Sequence, residues 1–250
     1  ELLELALRSD LKSLGEDHPK VATTRNNLAG IYRDQGRYKE AVELYELALQ
    51  SDLKSFSEDH PEVAITRNNL AFVYKAQGRY EEAIELLELA LRSDLKSFGD
   101  DHPEVAKKRN NLAAVYDAQG RYEEAIELYK LALRSDFKSF GEDHPTVAIR
   151  RNNLAAVYKA QGRYEEAIEL DELALRSDFK SFGEDHPRVA TMRNNLAAVY
   201  DAQGRYEEAI ELYELALQSD LKNFGEDHPR VAIRRNNLAM VYKKMKGGYK

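Results

Sequence analysis

The chain of 250 residues contains no cysteine. It can therefore form no disulfide framework, no thiol nucleophile and no zinc–thiolate site. No apolar run approaches the ~20 residues that span a bilayer, and no signal peptide is visible, so we expect a cytoplasmic protein without a membrane partner. The net charge of -7 argues against a nucleic-acid partner, because phosphate binding needs a basic face. With 43% hydrophobic and 32% charged residues, the composition predicts a soluble folded protein.

The chain does contain a sequence segment that recurs several times. The string EDHPEVAITRNNLAFVY at 58–74 returns as DDHPEVAKKRNNLAAVY at 100–116 and as EDHPTVAIRRNNLAAVY at 142–158. All six histidines are followed by proline, and they recur every 42 residues, at His18, His60, His102, His144, His186 and His228. A fixed period of this size indicates a solenoid or an array of repeats.

We therefore predict one repeat array over 1–250. It consists of a partial unit at 1–16, full units at 17–58, 59–100, 101–142, 143–184 and 185–226, and a partial unit at 227–250. The chain starts in mid-pattern and without Met, so we expect it to be a piece of a longer protein.

Each unit predicts two helices. The EDHP segment supplies acidic and capping residues with a proline in the first turn, which is typical of a helix start. The glycine of the QGRY segment, Gly36 in the first full unit, ends that helix, and a second apolar stripe follows. Twelve helices and no strand are predicted, because no alternating valine- or isoleucine-rich segment occurs. The residues with helical apolar spacing are Val21, Leu28, Ala29 and Tyr32, then Tyr38, Ala41, Leu44, Tyr45, Ala48 and Leu49.

These residues carry a family resemblance. Arg25, Leu28, Ala29, Tyr32, Ala41, Tyr45 and Ala48 follow the tetratricopeptide pattern. The chain resembles the long tetratricopeptide repeats of kinesin light chains and their bacterial relatives, in which DHPxVAxxxNNLAxxYxxQGRYxEA recurs. The usual period is about 34 residues, and the extra residues here lie between Ala48 and Pro61, where they lengthen the second helix and its loop. The resemblance implies an all-α, right-handed superhelical solenoid of antiparallel helix pairs whose first helices line a concave groove.

The polar side of each first helix is the candidate lining of that groove. On a helical wheel it carries Thr23, Asn26, Gly30 and Arg33, opposite the apolar arc. The positions of Thr23, Gly30 and Arg33 differ between units, whereas the framework residues barely change. A constant scaffold with a variable lining favours a binding array. Drift of exposed positions is the open alternative.

The asparagines of this face recur in every unit. An amide side chain donates and accepts hydrogen bonds, so it can hold a peptide backbone without selecting a side chain. In the resembled family such asparagines contact an extended peptide, whereas a ladder of amides between adjacent helices is the structural alternative. The neighbouring Asn27 series lies closer to the seam between helices. The predicted peptide site is Asn26, Arg33, Asn68, Phe72, Lys75, Lys107, Asn110, Asn152, Lys159, Asn194 and Asn236. Its mixed charges would suit a mixed or modestly acidic peptide.

A charged pattern lies on the apolar side. Arg25 occupies the centre of the apolar arc, and Asp52 lies close to the wheel angle of Ala41 and Tyr45. Because the helices of a hairpin run antiparallel, we predict a partly buried Arg–Asp ladder that fixes register more than it stabilises. Arginines that bend toward the groove to bind an acidic ligand, or that stay solvated, are the alternatives. The ladder comprises Arg25, Arg67, Arg109, Arg151, Arg193 and Arg235 with Asp10, Asp52, Asp94, Asp136, Asp178 and Asp220.

Asp171 is a single departure from the pattern, because its counterparts are all leucine or tyrosine. A lone carboxylate at an apolar position is costly unless it is hydrated or paired. We expect Arg151 or Arg193 to be its partner.

The recurring EDH segment does not predict an enzyme. Six copies at separated corners of an array cannot converge on one pocket, and no catalytic, cofactor or metal site is predicted. The sequence favours a non-catalytic scaffold that binds extended peptide segments. Two alternatives stay open: end-to-end self-association through the exposed terminal helices, and a consensus-type designed array with no specific ligand.

Overall fold

The computed structural model describes residues 2–247. Within these residues it contains twelve α-helices and no strand, as the repeat pattern predicts. The helices are α1 (Leu2–Leu14), α2 (Pro19–Asp34), α3 (Tyr38–Ser55), α4 (Pro61–Ala76), α5 (Tyr80–Phe98), α6 (Pro103–Ala118), α7 (Tyr122–Phe140), α8 (Pro145–Ala160), α9 (Tyr164–Phe182), α10 (Pro187–Gln203), α11 (Tyr206–Phe224) and α12 (Pro229–Gly247).

The histidines cap the first helix of each pair. His60 precedes Pro61, and its Nδ1 accepts a hydrogen bond from the backbone N–H of Glu62 at 3.2 Å. This bond satisfies one of the N–H groups that a helix start leaves without a partner. The ring of Phe56, at the end of the preceding helix, stacks on the His60 ring with 4.2 Å between centroids. The EDHP segment is therefore structural, and each of the six histidines makes the same capping bond.

A left-handed glycine ends the first helix of each pair. Gly36 has a φ of 74°, a conformation that glycine adopts without steric cost. The turn is closed by the N–H of Arg37, which donates to the carbonyl of Tyr32 at 2.8 Å. The guanidinium of Arg37 lies over the Tyr32 ring at 4.0 Å, so the turn also makes a cation–π contact. The predicted helix stop at Gly36 is confirmed.

The helices group into two compact units, Glu1–Leu128 and Tyr129–Lys250. In the first unit α2 packs on α3 and α4 on α5, and α1, α3 and α5 also contact the helix that follows each of them. In the second unit α8 packs on α9 and α10 on α11, with α9 and α11 contacting the next helix in turn. Each unit is thus a stack of helix pairs in chain order, which is the fold class that the sequence predicted.

Small residues let the helices of a pair approach closely. Ala29 on α2 and Ala41 on α3 are fully buried, and Tyr45 is 1% exposed beside them. Such a core is built only from contacts with neighbouring repeats, as in other repeat proteins. The asparagine-bearing helices, defined as α2, α4, α6, α8, α10 and α12, keep one side outside this core. None of the helices in 2–247 combines the length and apolar character needed to cross a bilayer.

Candidate functional site

The asparagines form a ladder between successive asparagine-bearing helices. In the first unit Asn69 Nδ2 donates to Asn26 Oδ1 at 2.9 Å, and Asn111 Nδ2 donates to Asn68 Oδ1 at 2.8 Å. In the second unit Asn195 donates to Asn152 at 3.1 Å and Asn237 donates to Asn194 at 2.8 Å. In these four contacts the second asparagine of one repeat holds the side chain of the first asparagine one repeat earlier, which is the ladder that the sequence left as an alternative.

The ladder leaves hydrogen-bonding capacity on the first asparagine. Asn26 gives a hydrogen from Nδ2 to Thr66 Oγ1 at 3.0 Å. At Asn68 the corresponding neighbour is Lys108, which cannot accept, and within the described residues Asn68 Nδ2 makes no hydrogen bond. An amide has two donor hydrogens and two acceptor lone pairs. Asn68 is therefore held in place through its oxygen while its donors stay open.

The other predicted site residues are spread along the same helices. Phe72 is 44% exposed on α4, and Lys75 lies one turn further on. Burial lowers the pKa of Lys75, against which the charge of Asp117 on α6 acts. Arg33 pairs with its neighbour Asp34 at 2.8 Å. Lys107 is exposed and lies 3.6 Å from Glu104.

The arginine series has partners other than the predicted aspartates. Arg25 is 6% exposed, and its guanidinium donates to the Glu16 carbonyl at 3.0 Å and to Ser51 Oγ at 2.9 Å. Arg151 repeats this arrangement with the Glu142 carbonyl and a serine of α9. Five of the six arginines are buried as predicted, whereas Arg235 is exposed. The buried arginines connect the loop that precedes each helix pair to the second helix of that pair. The same carbonyl contact, nine residues earlier, is made by Arg25, Arg67, Arg109, Arg151 and Arg193, whereas Arg235 pairs with Glu226.

The aspartate series connects each pair to the next asparagine-bearing helix. Asp52 Oδ2 on α3 accepts a hydrogen bond from Thr66 Oγ1 on α4 at 2.7 Å, and burial raises the pKa of Asp52. Lys108 lies 3.3 Å from Asp94, both almost fully buried. The predicted Arg–Asp pairing is thus corrected: the two series contact different elements. The partners are Lys20 and Thr24 for Asp10, Thr66 for Asp52, Lys108 for Asp94, Arg150 for Asp136, Arg188 for Asp178, and Arg230 and Arg234 for Asp220.

The expected partner of Asp171 is also corrected. Asp171 is 2% exposed, so its predicted burial is confirmed. Its Oδ1 accepts a hydrogen bond from Asn152 Nδ2 at 2.8 Å, and neither Arg151 nor Arg193 reaches it. Burial raises the pKa of Asp171 to about 7, against the lowering effects of Asn152 and of the charge on Lys159.

A comparison with family models assigns this repeat pattern. The tetratricopeptide repeat model matches the chain in overlapping segments, at 1–54, 20–96, 62–136, 137–178, 148–222 and 188–250. The chain belongs to the tetratricopeptide repeat family. A comparison with curated proteins gave no match.

Solved structures of tetratricopeptide repeat proteins share the fold. A putative kinesin light chain with nearly identical TPR-like repeats from Podosopora anserina is 31% identical, with a TM-score of 0.73 over 83% of this chain and 98% of that chain. BtubC (BKLC) from P. vanneervenii is 26% identical, with a TM-score of 0.73 over 91% of this chain and 89% of that chain. The resemblance to the long kinesin-light-chain-like type of tetratricopeptide repeat is thereby confirmed.

One feature of these tetratricopeptide repeats escaped the sequence analysis. Most partners of the buried aspartates occupy the position before Arg25, which is not among the predicted site residues. It lies three residues after Val21 and four before Leu28, hence on the buried stripe. It is nevertheless polar in five of the six repeats: Thr24, Thr66, Lys108, Arg150 and Arg234, with Met192 as the exception. A polar residue on a buried stripe signals a buried partner, and where Met192 cannot bond, Arg188 takes over.

Among residues 2–247 no group of three or more histidine or carboxylate side chains is arranged to bind an ion. Tetratricopeptide folds generally serve as protein-interaction scaffolds. The polar side of the asparagine-bearing helices is called the asparagine face. This face is defined by the first of the two adjacent asparagines in each repeat, together with the positions of Thr23, Gly30 and Arg33 in each repeat.

Proposed function

We propose that the chain is a scaffold that binds extended protein segments along the asparagine face. The observation that carries this proposal is the ladder, in which Asn111 fixes the Oδ1 of Asn68 at 2.8 Å while the Nδ2 donors of Asn68 stay open. A donor held in advance loses little conformational entropy when it binds. A backbone carbonyl of an extended segment is the acceptor that every peptide offers, whatever its side chains.

The variable positions would then select the bound segment. Phe72 offers an exposed aromatic ring on α4, where the corresponding residue on α2 is Gly30. Lys75 and Asp117 give opposite charges to successive helices. A segment of mixed charge with an apolar residue near Phe72 fits these positions better than a uniformly charged one.

Screening the protein against a peptide array, followed by titration of the best binder, tests the proposal. Asn68→Asp is the sharpest variant, because it keeps the Oδ1 acceptor for Asn111 and replaces the open donors with a carboxylate oxygen. We expect it to weaken binding by about 10-fold, which corresponds to one or two hydrogen bonds. Gln50→Glu adds the same charge on an exposed position of α3 and serves as the matched control.

The comparison of the two variants decides the outcome. Loss of affinity in Asn68→Asp but not in Gln50→Glu supports the proposal. Equal affinity of both variants, or no peptide bound by the wild type, contradicts it. Asn152→Ala with Asn194→Ala extends the test to the second unit.

Self-association stays the alternative, and it would use the surface of a terminal helix. On α12 the side chains of Ala232, Arg235 and Ala239 are exposed, whereas the corresponding Ala148 and Ala155 of α8 are fully buried. A second copy could cover this surface in the way that a neighbouring repeat covers it elsewhere. Sedimentation velocity over a range of concentrations distinguishes the two, since a constant monomer mass contradicts self-association.

A further inference from the structure

A cavity opens beside Asp171 in the second unit. It lies between α8, α9 and α10 and has a volume of about 150 Å³. The asparagine ladder borders it, so the cavity opens on the asparagine face. The lining residues are Asn152, Ala156, Lys159, Asp171, Asn195, Ala198 and Val199.

The corresponding place in the first unit shows why this cavity exists. There Leu87 stands in place of Asp171 and Phe72 in place of Ala156. Leu87 is 2% exposed, and the space that remains is about 10 Å³. A volume of about 10–15 Å³ is the least that holds one water molecule. Two substitutions therefore convert a filled contact between repeats into a cavity that can admit the end of a side chain.

Asp171 forms the polar end of the cavity and has spare bonding capacity. Its one hydrogen bond within residues 2–247 is the 2.8 Å contact from Asn152 to Oδ1, and it makes no ion pair there. Asn195 in turn donates to Asn152, so two successive hydrogen bonds from side-chain amides orient the carboxyl group of Asp171. The lone pairs of Oδ2 have no donor, although the side chain is almost entirely removed from solvent.

The charged surroundings of Asp171 are simple. Lys159 on α8 is the charged residue that lines the cavity with it, and it lies beyond ion-pair distance. The residues that α10 contributes are Asn195, Ala198 and Val199, none of which titrates. A buried carboxylate without a close cation is unfavourable, and a cation that enters relieves this cost. An anionic group would be repelled, and an apolar group would leave the carboxylate unpaired.

We propose that the cavity binds a basic side chain, the guanidinium of arginine or the ammonium of lysine, from a segment held on the asparagine face. This assignment rests on the proposed function and adds a side-chain preference at one place. It makes Asp171 a specificity-determining residue, with Asn152 and Asn195 positioning its carboxyl group.

Three matched peptides test the proposal on the full chain. The host is an acetylated and amidated peptide of alternating serine and threonine whose central residue is arginine, norleucine or glutamate. At pH 8 we expect the arginine peptide to bind at least ~10-fold tighter than the norleucine peptide, as for a charge-assisted hydrogen bond. Asp171→Leu, which reproduces the residue at position 87, should abolish this preference while the protein stays folded.

The preference should also depend on pH. With a pKa of about 7, Asp171 is about 1% ionised at pH 5 and about 90% ionised at pH 8. The advantage of the arginine peptide should therefore nearly disappear at pH 5. Equal binding of the arginine and norleucine peptides at pH 8, or an arginine preference that survives in Asp171→Leu, overturns the proposal.

Failure of the cavity assignment can be told apart from failure of the proposed function. If the norleucine peptide binds, Asn194→Ala in the same unit weakens it and no arginine preference exists, the cavity assignment alone is refuted. If none of the three peptides binds, the peptide array decides the proposed function, and the cavity is tested separately by NMR titration of N-acetyl-arginine-methylamide. Shifts of the Asn152 and Asn195 side-chain amides that vanish in Asp171→Leu then support the cavity as a cation site, and their absence overturns it.

Discussion

Replacing Asp171 with tyrosine should stabilise the protein, and the gain should increase with pH. Tyrosine already occupies the corresponding position 213, where it is 3% exposed and lies one repeat after Asp171. On the asparagine-bearing helix of the same repeat, the corresponding residue is alanine in both cases, Ala156 and Ala198. The space that the tyrosine ring needs therefore has a precedent in the next repeat. The substitution removes a buried carboxylate and fills the cavity beside it, and both changes favour the folded state.

The electrostatic part of the gain follows from the pKa. Burial raises the pKa of Asp171 from 3.8 to about 7, so the folded state binds the proton more tightly than the unfolded state. The cost of ionisation is therefore absent below the unfolded pKa, grows as the pH rises and is complete above about pH 7. At about 1.4 kcal/mol per pKa unit, the full cost is about 4 kcal/mol, of which about 2.5 kcal/mol develops between pH 5 and pH 8.

Urea unfolding of the wild type, Asp171→Tyr and Asp171→Asn at both pH values measures this cost. Asparagine keeps the size of the side chain and removes the titration, so it isolates the charge from the filled cavity. We expect both variants to be more stable than the wild type at pH 8, with the advantage of Asp171→Asn mostly lost at pH 5. An advantage of the same size at both pH values, or a tyrosine variant that unfolds before the wild type, would refute the reasoning.

Three further substitutions test the packing between repeats. Arg151→Ala should destabilise by about 2 kcal/mol, because the Glu142 carbonyl loses its donor; chemical unfolding checks this against Arg163→Ala, whose exposed ion pair should contribute less than about 1 kcal/mol. Lys108→Met should cost about 3 kcal/mol because it leaves Asp94 buried without a cation, and the loss should be smaller at acid pH, where the carboxyl group is protonated; the urea midpoint at two pH values measures it. Gly78→Ala should cost about 1 kcal/mol through its positive φ alone, and a thermal melt with no loss would contradict that origin.

Much of the fold could be predicted because it depends on local chemistry. The 42-residue spacing of the histidines, the proline after each of them and the glycine of each turn fix where helices begin and end. These features act within a few residues, so the sequence displays them directly. The burial of Asp171 could also be predicted, since its counterparts in other units are leucine or tyrosine.

The partners of the buried charges could not be predicted in the same way. A helical wheel places Arg25 and Thr24 on neighbouring parts of one arc, but it does not say which of them faces the preceding pair. In the structure Thr24 faces Asp10, while Arg25 turns toward the loop and Ser51. That choice depends on how successive repeats pack, which the sequence of a single repeat does not specify.

The asparagines illustrate the same limit. Their recurrence marked them as important, and both the peptide site and the inter-helix ladder fitted it. The structure has the ladder, and it leaves open donors on Asn68 that a peptide can use. The two interpretations are therefore compatible, because the second asparagine of each pair supports the first.

The most direct test of the account is an NMR titration that follows the side-chain amides of all asparagines while an array-selected peptide is added. The account predicts that the resonances of Asn68, Asn152 and Asn194 shift in proportion to binding, while Asn223 on α11 does not move. Shifts confined to the second helix of each pair, with the asparagine-face resonances unchanged, would contradict it.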